Sequence, residues 1–232
     1  MREGIKGIAF DLDGTLYPNH DLYFQLIPFA AKEMRLLSAF GKARNIIRGE
    51  YKESSGNQDD FYQYQAEITA KILSAPAQLL KEKIDNLIYR GWEPLFKKIK
   101  LFKGVPETLN ALRGAGYKLG LLSDFPPETK LENLGVGGIW DAVLCSERCG
   151  ALKPHPLSFT RLAEAMSLAP HDILYVGNSR RYDVAGAAGA GMKTAWIKAS
   201  VFSVFPVISA KVPKADFAFS NYRQLYNYMI YL

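Results

Sequence analysis

The chain has 232 residues, 48% of them hydrophobic and 22% charged, with a formal charge of +6. That length holds one large domain, or a core plus a smaller insert, around a proper hydrophobic interior, and no apolar run approaches the ~20 residues that a membrane span needs. The basic residues are spread out, and even the densest group (Lys81, Lys83, Lys97, Lys98 and Lys100) is broken by acids and apolar residues; this suits a solvated helix face better than a nucleic-acid surface.

The N-terminal residues carry charge but no apolar segment of the secretory type. Ile5 to Phe10 then forms a short apolar run, which is expected to be a buried parallel strand ending at Asp11. From Leu22 to about Leu101 the period becomes helical. Ile27, Ala30, Ala31 and Met34 recur at helical spacing, as do Phe61, Tyr64, Ile68 and Ile72, and then Leu80, Ile84, Leu87 and Ile88. Polar residues from Glu53 to Asp60 suggest a loop between two of these helices.

At Lys103 the pattern changes again. Gly104-Val105-Pro106-Glu107 opens a helix that Gly114 and Gly116 close. Tyr117 to Leu122 is the next expected strand, ending at Ser123-Asp124, and Ala142 to Cys145 the one after. Cys145 and Cys149 have the wrong spacing and company for a zinc site; two reduced thiols suit a cytoplasmic protein. Phe159, Leu162, Ala163 and Met166 mark an amphipathic helix. Ile173–Val176, Lys193–Ile197 and Asp216–Phe219 complete the strands, and the aromatic-rich run from Tyr222 to Tyr231 suits a C-terminal helix packed on the core. Alternating strands and helices predict an α/β fold with a doubly wound parallel sheet. The expected division is a core of residues 1–16 and 103–232, with an inserted all-helical cap over 17–102.

Ligands of open α/β sheets bind at the carboxyl ends of the strands. Those ends carry Asp11 and Asp13, then Ser123 and Asp124, then Lys153 before Pro154, then Gly177-Asn178-Ser179 with Asp183 close behind. Such a set suits a phosphate monoester. A divalent cation such as Mg²⁺ relieves repulsion between an attacking carboxylate and the phosphate. A lysine and a hydroxyl hold the remaining phosphate oxygens, and two carboxylates two residues apart can divide nucleophilic from proton-transfer work.

The string Asp11-Leu12-Asp13-Gly14-Thr15-Leu16 after an apolar strand, followed in order by Ser123, Lys153-Pro154 and Gly177 to Asp183, resembles the haloacid dehalogenase superfamily. The resemblance implies a Rossmann-like core and an Mg²⁺-dependent phosphatase that works through an aspartyl-phosphate on Asp11. It implies that Asp13 is the acid for the leaving group and then the base for water, touching the metal through its backbone carbonyl. Ser123 would bind the phosphoryl group, with Asp124 a substrate or supporting contact, and Lys153 would neutralise the nucleophile–phosphate pair. Asp11, Asp13, Asn178 and Asp183 would make up the metal site. The helical insert would close over a small phosphorylated metabolite, with no nucleic acid or membrane as partner. One departure is Asn178, where the family commonly has aspartate; an amide ligates magnesium without supplying charge.

Other signals have simpler accounts. Gly186, Gly189 and Gly191 are in the wrong order for a dinucleotide fingerprint and suit close helix packing. Gly177-Asn178-Ser179 lacks the last glycine of a nucleophile elbow. His20, His155 and His171 are scattered, Arg180 and Arg181 suit a solvated position, and Tyr17, Tyr23 and Phe24 suit either substrate contact or core packing. Three rival functions remain: carbon–halogen hydrolysis, which typically does without the second aspartate; phosphoryl transfer to a sugar hydroxyl; and a silent domain that keeps the fold.

Overall fold

The computed structural model describes residues 2–49, 58–198 and 213–231. Its centre is a six-stranded, wholly parallel sheet. The strands are β1 (Gly7–Phe10), β2 (Lys118–Ser123), β3 (Ala142–Cys145), β4 (Ile173–Gly177), β5 (Lys193–Ile197) and β6 (Phe217–Phe219), in the order β3-β2-β1-β4-β5-β6. The chain therefore builds outward from β1 on one side, then returns to pair β4 with β1 and builds outward on the other. Where that direction reverses, the loops leaving β1 and β4 part and open a crevice.

Residues along the inner strands alternate between two apolar layers, as the two-residue period of a strand requires. Ile8, Phe10, Leu119, Leu121, Leu174 and Val176 face one layer, shared with Leu109 of α5 (Val105–Gly114) and with Tyr222 and Leu225 of α9 (Tyr222–Ile230). Ala9, Leu122, Ile173 and Tyr175 face the other, against Phe159 and Leu162 of α7 (Pro156–Ala165) and Ala187 of α8 (Ala185–Gly189). With both faces covered, β1 and β4 are buried throughout, so continuous apolar runs are what the sequence shows there. The glycine spacing in α8 is for packing: a Cβ on Gly186 would stand 2.3 Å from the Phe159 ring.

Between β1 and α5 the chain is helical, with no named strand among the described residues. It forms α1 (Asn19–Gly49), α2 (Gln58–Leu73) and α3 (Ala77–Ile84), then a π-turn over 85–89, the short α4 (Arg90–Trp92) and a 3₁₀ turn over 93–98. The loop expected over Glu53–Asp60 lies outside the described residues up to 57, and 58–60 open α2. The stripe expected to pack on α1 faces solvent instead, with Ile27 58% and Met34 67% exposed. The helix breaks at Glu33, where the carboxylate pairs with Lys83 of α3 at 2.7 Å. Before and after that break the buried residues, Leu22 and Leu26, then Leu36, Phe40, Ala43 and Ile47, keep to one helical face. The far part of α1 builds two apolar clusters, one with Ala70, Leu80, Ile84 and Ile88, the other with Phe61, Ile68 and Leu152. A short helix not foreseen in the sequence, α6 (Glu128–Asn133), follows β2.

Phe159 is wholly buried and meets the Tyr175 ring edge-on at 4.9 Å. Phe159→Ala is expected to destabilise the protein by about 3–5 kcal/mol, read as a lower urea midpoint.

Candidate active site

Asp11 follows the last residue of β1 and its backbone N–H donates to the Val176 carbonyl at 2.9 Å, so the strand pairing itself aims the carboxylate into the crevice. One oxygen of Asp11 accepts from Lys153 Nζ at 2.6 Å, and the other accepts from the Thr15 hydroxyl at 2.7 Å. The same Lys153 Nζ donates to Asp183 Oδ1 at 2.8 Å. Asp183 Oδ2 accepts from the Ser179 backbone N–H at 2.9 Å, which holds the last loop around it. Groups from three loops, up to 172 positions apart in number, thus meet at one ammonium.

The electrostatics follow from one cation serving two anions in a dry place. Burial, and then the charge of Asp183, push the Asp11 carboxyl up to about 7, with Lys153 opposing both and Asp13 adding to the rise. Burial alone would lower the Lys153 ammonium, but Asp11 and Asp183 hold it well above its ordinary range. Lys153 therefore stays charged, and Asp11 is the under-compensated partner.

Asp13 faces a different set of groups. Lys130 Nζ of α6 donates to both its oxygens, at 2.8 and 2.9 Å, and the buried Tyr17 hydroxyl donates to Oδ1. Lys130 itself lies over the rings of Phe96 and Phe125, at 4.9 and 5.2 Å. Gly14, between the two acids and their supports, has φ of +85°, and a Cβ there would fall 2.0 Å from the Asn178 amide nitrogen. Only glycine permits both the left-handed turn and that approach. Asn178 thus stands directly against the first loop, and its backbone carbonyl accepts from Trp196 Nε1 at 2.9 Å.

Ser123, at the end of β2, is fully buried, and its hydroxyl oxygen accepts from the Phe125 N–H at 3.2 Å. Asp124 turns toward the protein. One oxygen accepts from the Lys153 N–H at 3.1 Å and the other from Arg48 Nη2 at 2.7 Å. Burial alone would raise its carboxyl, but Lys153, Arg48 and Arg44 hold it below the usual range. Both oxygens are taken up in the scaffold, the geometry of a supporting contact, which the sequence left open beside a substrate contact. Tyr17 is wholly buried while Tyr23 and Phe24 are exposed; Arg180 and Arg181 are exposed, over the rings of Trp196 and Tyr182 respectively. Thr15, Lys130 and Arg48 were not singled out as site residues from the sequence, and Tyr17 was named there for substrate contact or core packing, not as a partner of Asp13. Thr15 and Tyr17 had a local signal, being next to the acids; Lys130 and Arg48 had none, since both arrive through packing.

The carboxylates gathered on Lys153 are those of Asp11 and Asp183, and the amide of Asn178 stands beside Gly14 of the first loop. All are hard ligands, which fit Mg²⁺ in kind. Among the described residues no group of three or more His, Cys, Asp or Glu is arranged to hold a metal, and the third carboxylate, Asp13, is bonded to Lys130 and Tyr17. Two carboxylates with neutral oxygens are the set this chain offers, and the charge of Asp183, which adds to burial in raising Asp11, is what a divalent cation relieves.

Residues 5–191 match the haloacid dehalogenase-like hydrolases, and the chain belongs to that family. Over 199 residues it is 29% identical to haloacetate dehalogenase H-2 of Moraxella sp., covering 83% of this chain and 85% of that one. Over 212 residues it is 28% identical to glyceraldehyde 3-phosphate phosphatase of Methanopyrus kandleri, covering 84% of each. Among solved structures it resembles a HAD phosphatase from Thermococcus onnurineus, with a TM-score of 0.62, 22% identity, and coverage of 97% and 98%. No helix among the described residues is long and apolar enough to cross a membrane.

The raised Asp11 carboxyl has a thermodynamic consequence. Between the ordinary carboxylate value of ~3.9 and about 7, the folded state holds a proton that the unfolded state releases, so stability falls as pH rises through that window. With chelator present, Asp11→Asn is expected to be more stable than the parent at pH 8 by a few kcal/mol, at ~1.4 kcal/mol per pH unit of separation. The gap should close toward pH 4, as read by urea unfolding across pH.

Proposed function

We propose that this hydrolase cleaves a small phosphate monoester with the help of Mg²⁺, through an aspartyl-phosphate on Asp11, in the cytoplasm. The observation that carries this is Lys153 Nζ, held at 2.6 Å from Asp11 and 2.8 Å from Asp183, with a second aspartate two residues from the first. A carboxylate that must approach a phosphate bearing about two negative charges needs cationic company, and this pocket is built around it.

In the first step an Asp11 oxygen attacks phosphorus in line, the ester P–O bond breaks, and the leaving oxygen takes a proton from Asp13. In the second, Asp13 removes a proton from water, whose oxygen attacks the same phosphorus. The P–O bond to Asp11 breaks, releasing inorganic phosphate and the free carboxylate. Lys153 and the Ser123 hydroxyl bind the non-bridging oxygens, and Thr15 orients the nucleophile through its spare oxygen. When bound, Mg²⁺ supplies charge neutralisation between nucleophile and phosphate, with Asp11, Asp183, Asn178 and the Asp13 carbonyl as its ligands. The helical segment, with Tyr23 and Phe24 exposed on α1, acts as the cap that selects the leaving group.

Support for phosphate over halide comes from the presence of Asp13, since an ester between Asp11 and carbon needs no acid for a halide leaving group. The relationship to a haloacetate dehalogenase makes that the reading to test beside it. With Mg²⁺, 4-nitrophenyl phosphate should be hydrolysed and haloacetate should not. Chelator or Asp11→Asn should abolish turnover, and Asp13→Ala should lower kcat by ~10²–10⁴. Halide release without phosphate release would overturn the proposal. Transfer of phosphate to an added sugar, seen in the products, would make it a phosphotransferase instead. No turnover at ample metal would leave a silent domain.

Asn178→Asp adds an anionic ligand, and Mg²⁺ activation should then saturate at lower concentration. An unchanged metal titration would remove residue 178 from the ligand set.

A further inference from the structure

We infer that Arg48, carried on the helical segment, is a positioning residue that holds the Lys153 backbone in place and so couples the seating of that segment to the reactive centre. The inference rests on the role given to Lys153 above.

Arg48 stands in the last turn of α1, away from the sheet in sequence, yet its guanidinium touches three catalytic loops. Nη2 donates to Asp124 Oδ2 at 2.7 Å, after β2. Nε donates to the Lys153 carbonyl at 3.0 Å, after β3. The group lies 4.6 Å over the ring of Tyr182, beside Asp183 and after β4. Asp124 closes the circuit, because its other oxygen accepts from the Lys153 N–H at 3.1 Å. The peptide groups flanking the Lys153 Cα are thus held on both sides, N–H by Asp124 and C=O by Arg48, while Asp124 and Arg48 hold each other. Where that Cα sits determines whether Nζ can span Asp11 and Asp183.

The neighbouring arginine has a different character. Arg44, one turn earlier, is buried with its side chain 5% exposed, and pairs with Glu147, itself inaccessible and also bonded to the Tyr89 hydroxyl. Leu152, next to Lys153, packs with Ala43, Ile47, Phe61 and Ile68 of the helical segment. These contacts are the buried part of the attachment. Arg48 lies at its margin, with its side chain 17% exposed. Its Nε and Nη2 are committed to protein acceptors, which makes it a support for the site and not a phosphate ligand. A lysine cannot reproduce the fork, since it offers one point charge where two separated donors are needed.

The test compares Arg48→Ala, Arg48→Lys and Asp124→Ala with the parent, using 4-nitrophenyl phosphate and Mg²⁺, and follows hydrogen exchange over residues 150–154 without metal or substrate. Each variant is expected to lose kcat by ~10–100-fold with KM within threefold. The Arg48→Ala/Asp124→Ala double variant should lose no more than the worse single one, and added guanidinium should partly restore Arg48→Ala. Exchange at the Lys153 amide should rise by at least tenfold in Arg48→Ala while β1 and β4 stay protected. Unchanged exchange at Lys153, or a loss expressed in KM with kcat intact, would overturn the inference. If the parent hydrolyses no phosphate ester, the proposed function fails, and exchange alone still decides whether Arg48 holds Lys153.

Discussion

A single ammonium lies between two carboxylates in a pocket that excludes water, and most of the structure around the crevice serves that arrangement. Lys153 is 3% exposed, Asp11 5% and Asp183 1%. Burying three charges is costly unless each is paired and hydrogen-bonded, and each has such partners. Thr15 serves the spare oxygen of Asp11, the Ser179 N–H serves that of Asp183, and the Leu122 carbonyl and Tyr175 hydroxyl lie 3.4 and 3.5 Å from Lys153 Nζ. Polar satisfaction is complete, yet charge is not balanced. Burial first, and then that residue of negative potential, push the Asp11 carboxyl up to about 7, and the uncompensated charge favours a cationic guest.

The two aspartates of the first loop differ because their surroundings differ. Asp11 points to the sheet side, where burial and Asp183 dominate. Asp13 points to α6 and the start of the helical segment, where Lys130 and Tyr17 meet it. Two acids separated by one residue in sequence thus sit in distinct electrostatic environments, which is what separate roles as nucleophile and proton carrier require. The left-handed turn at Gly14 lets the chain present them so, and Asn178 fills the space a side chain there would take.

The helical segment takes part in this site through its attachments. Leu22 and Leu26 of α1 and Phe96 belong to the same apolar layer as β1, while Arg44 and Arg48 reach the loops after β2 and β3. Both loops are therefore set partly by residues outside the α/β core. A substrate that alters how α1 lies over the sheet would be felt at the Lys153 peptide.

The strands, the doubly wound class and the acids at the strand ends were legible because they are encoded locally. Apolar runs such as Ile8-Ala9-Phe10 mark strands buried on both faces, and Gly104-Val105-Pro106 marks a helix start. Boundaries shifted by a residue or two, as for β2, which begins at Lys118. The buried face of α1 was misread, because the stripe Ile27, Ala30, Ala31 and Met34 has the same helical spacing as the buried one, and packing against residues such as Leu80 and Ile84 decides between them. Nor could the chain order reveal that Asp124 serves the scaffold, or that Lys130 and Arg48 enter the site: those contacts join positions 76 to 117 residues apart. Sequence alone determined which chemical groups stand at the strand ends, since strand and turn propensities act over a few residues. Tertiary structure decided which of them share a proton, a cation or a backbone, because pairing in a buried crevice depends on distance in space and on the water that packing removes.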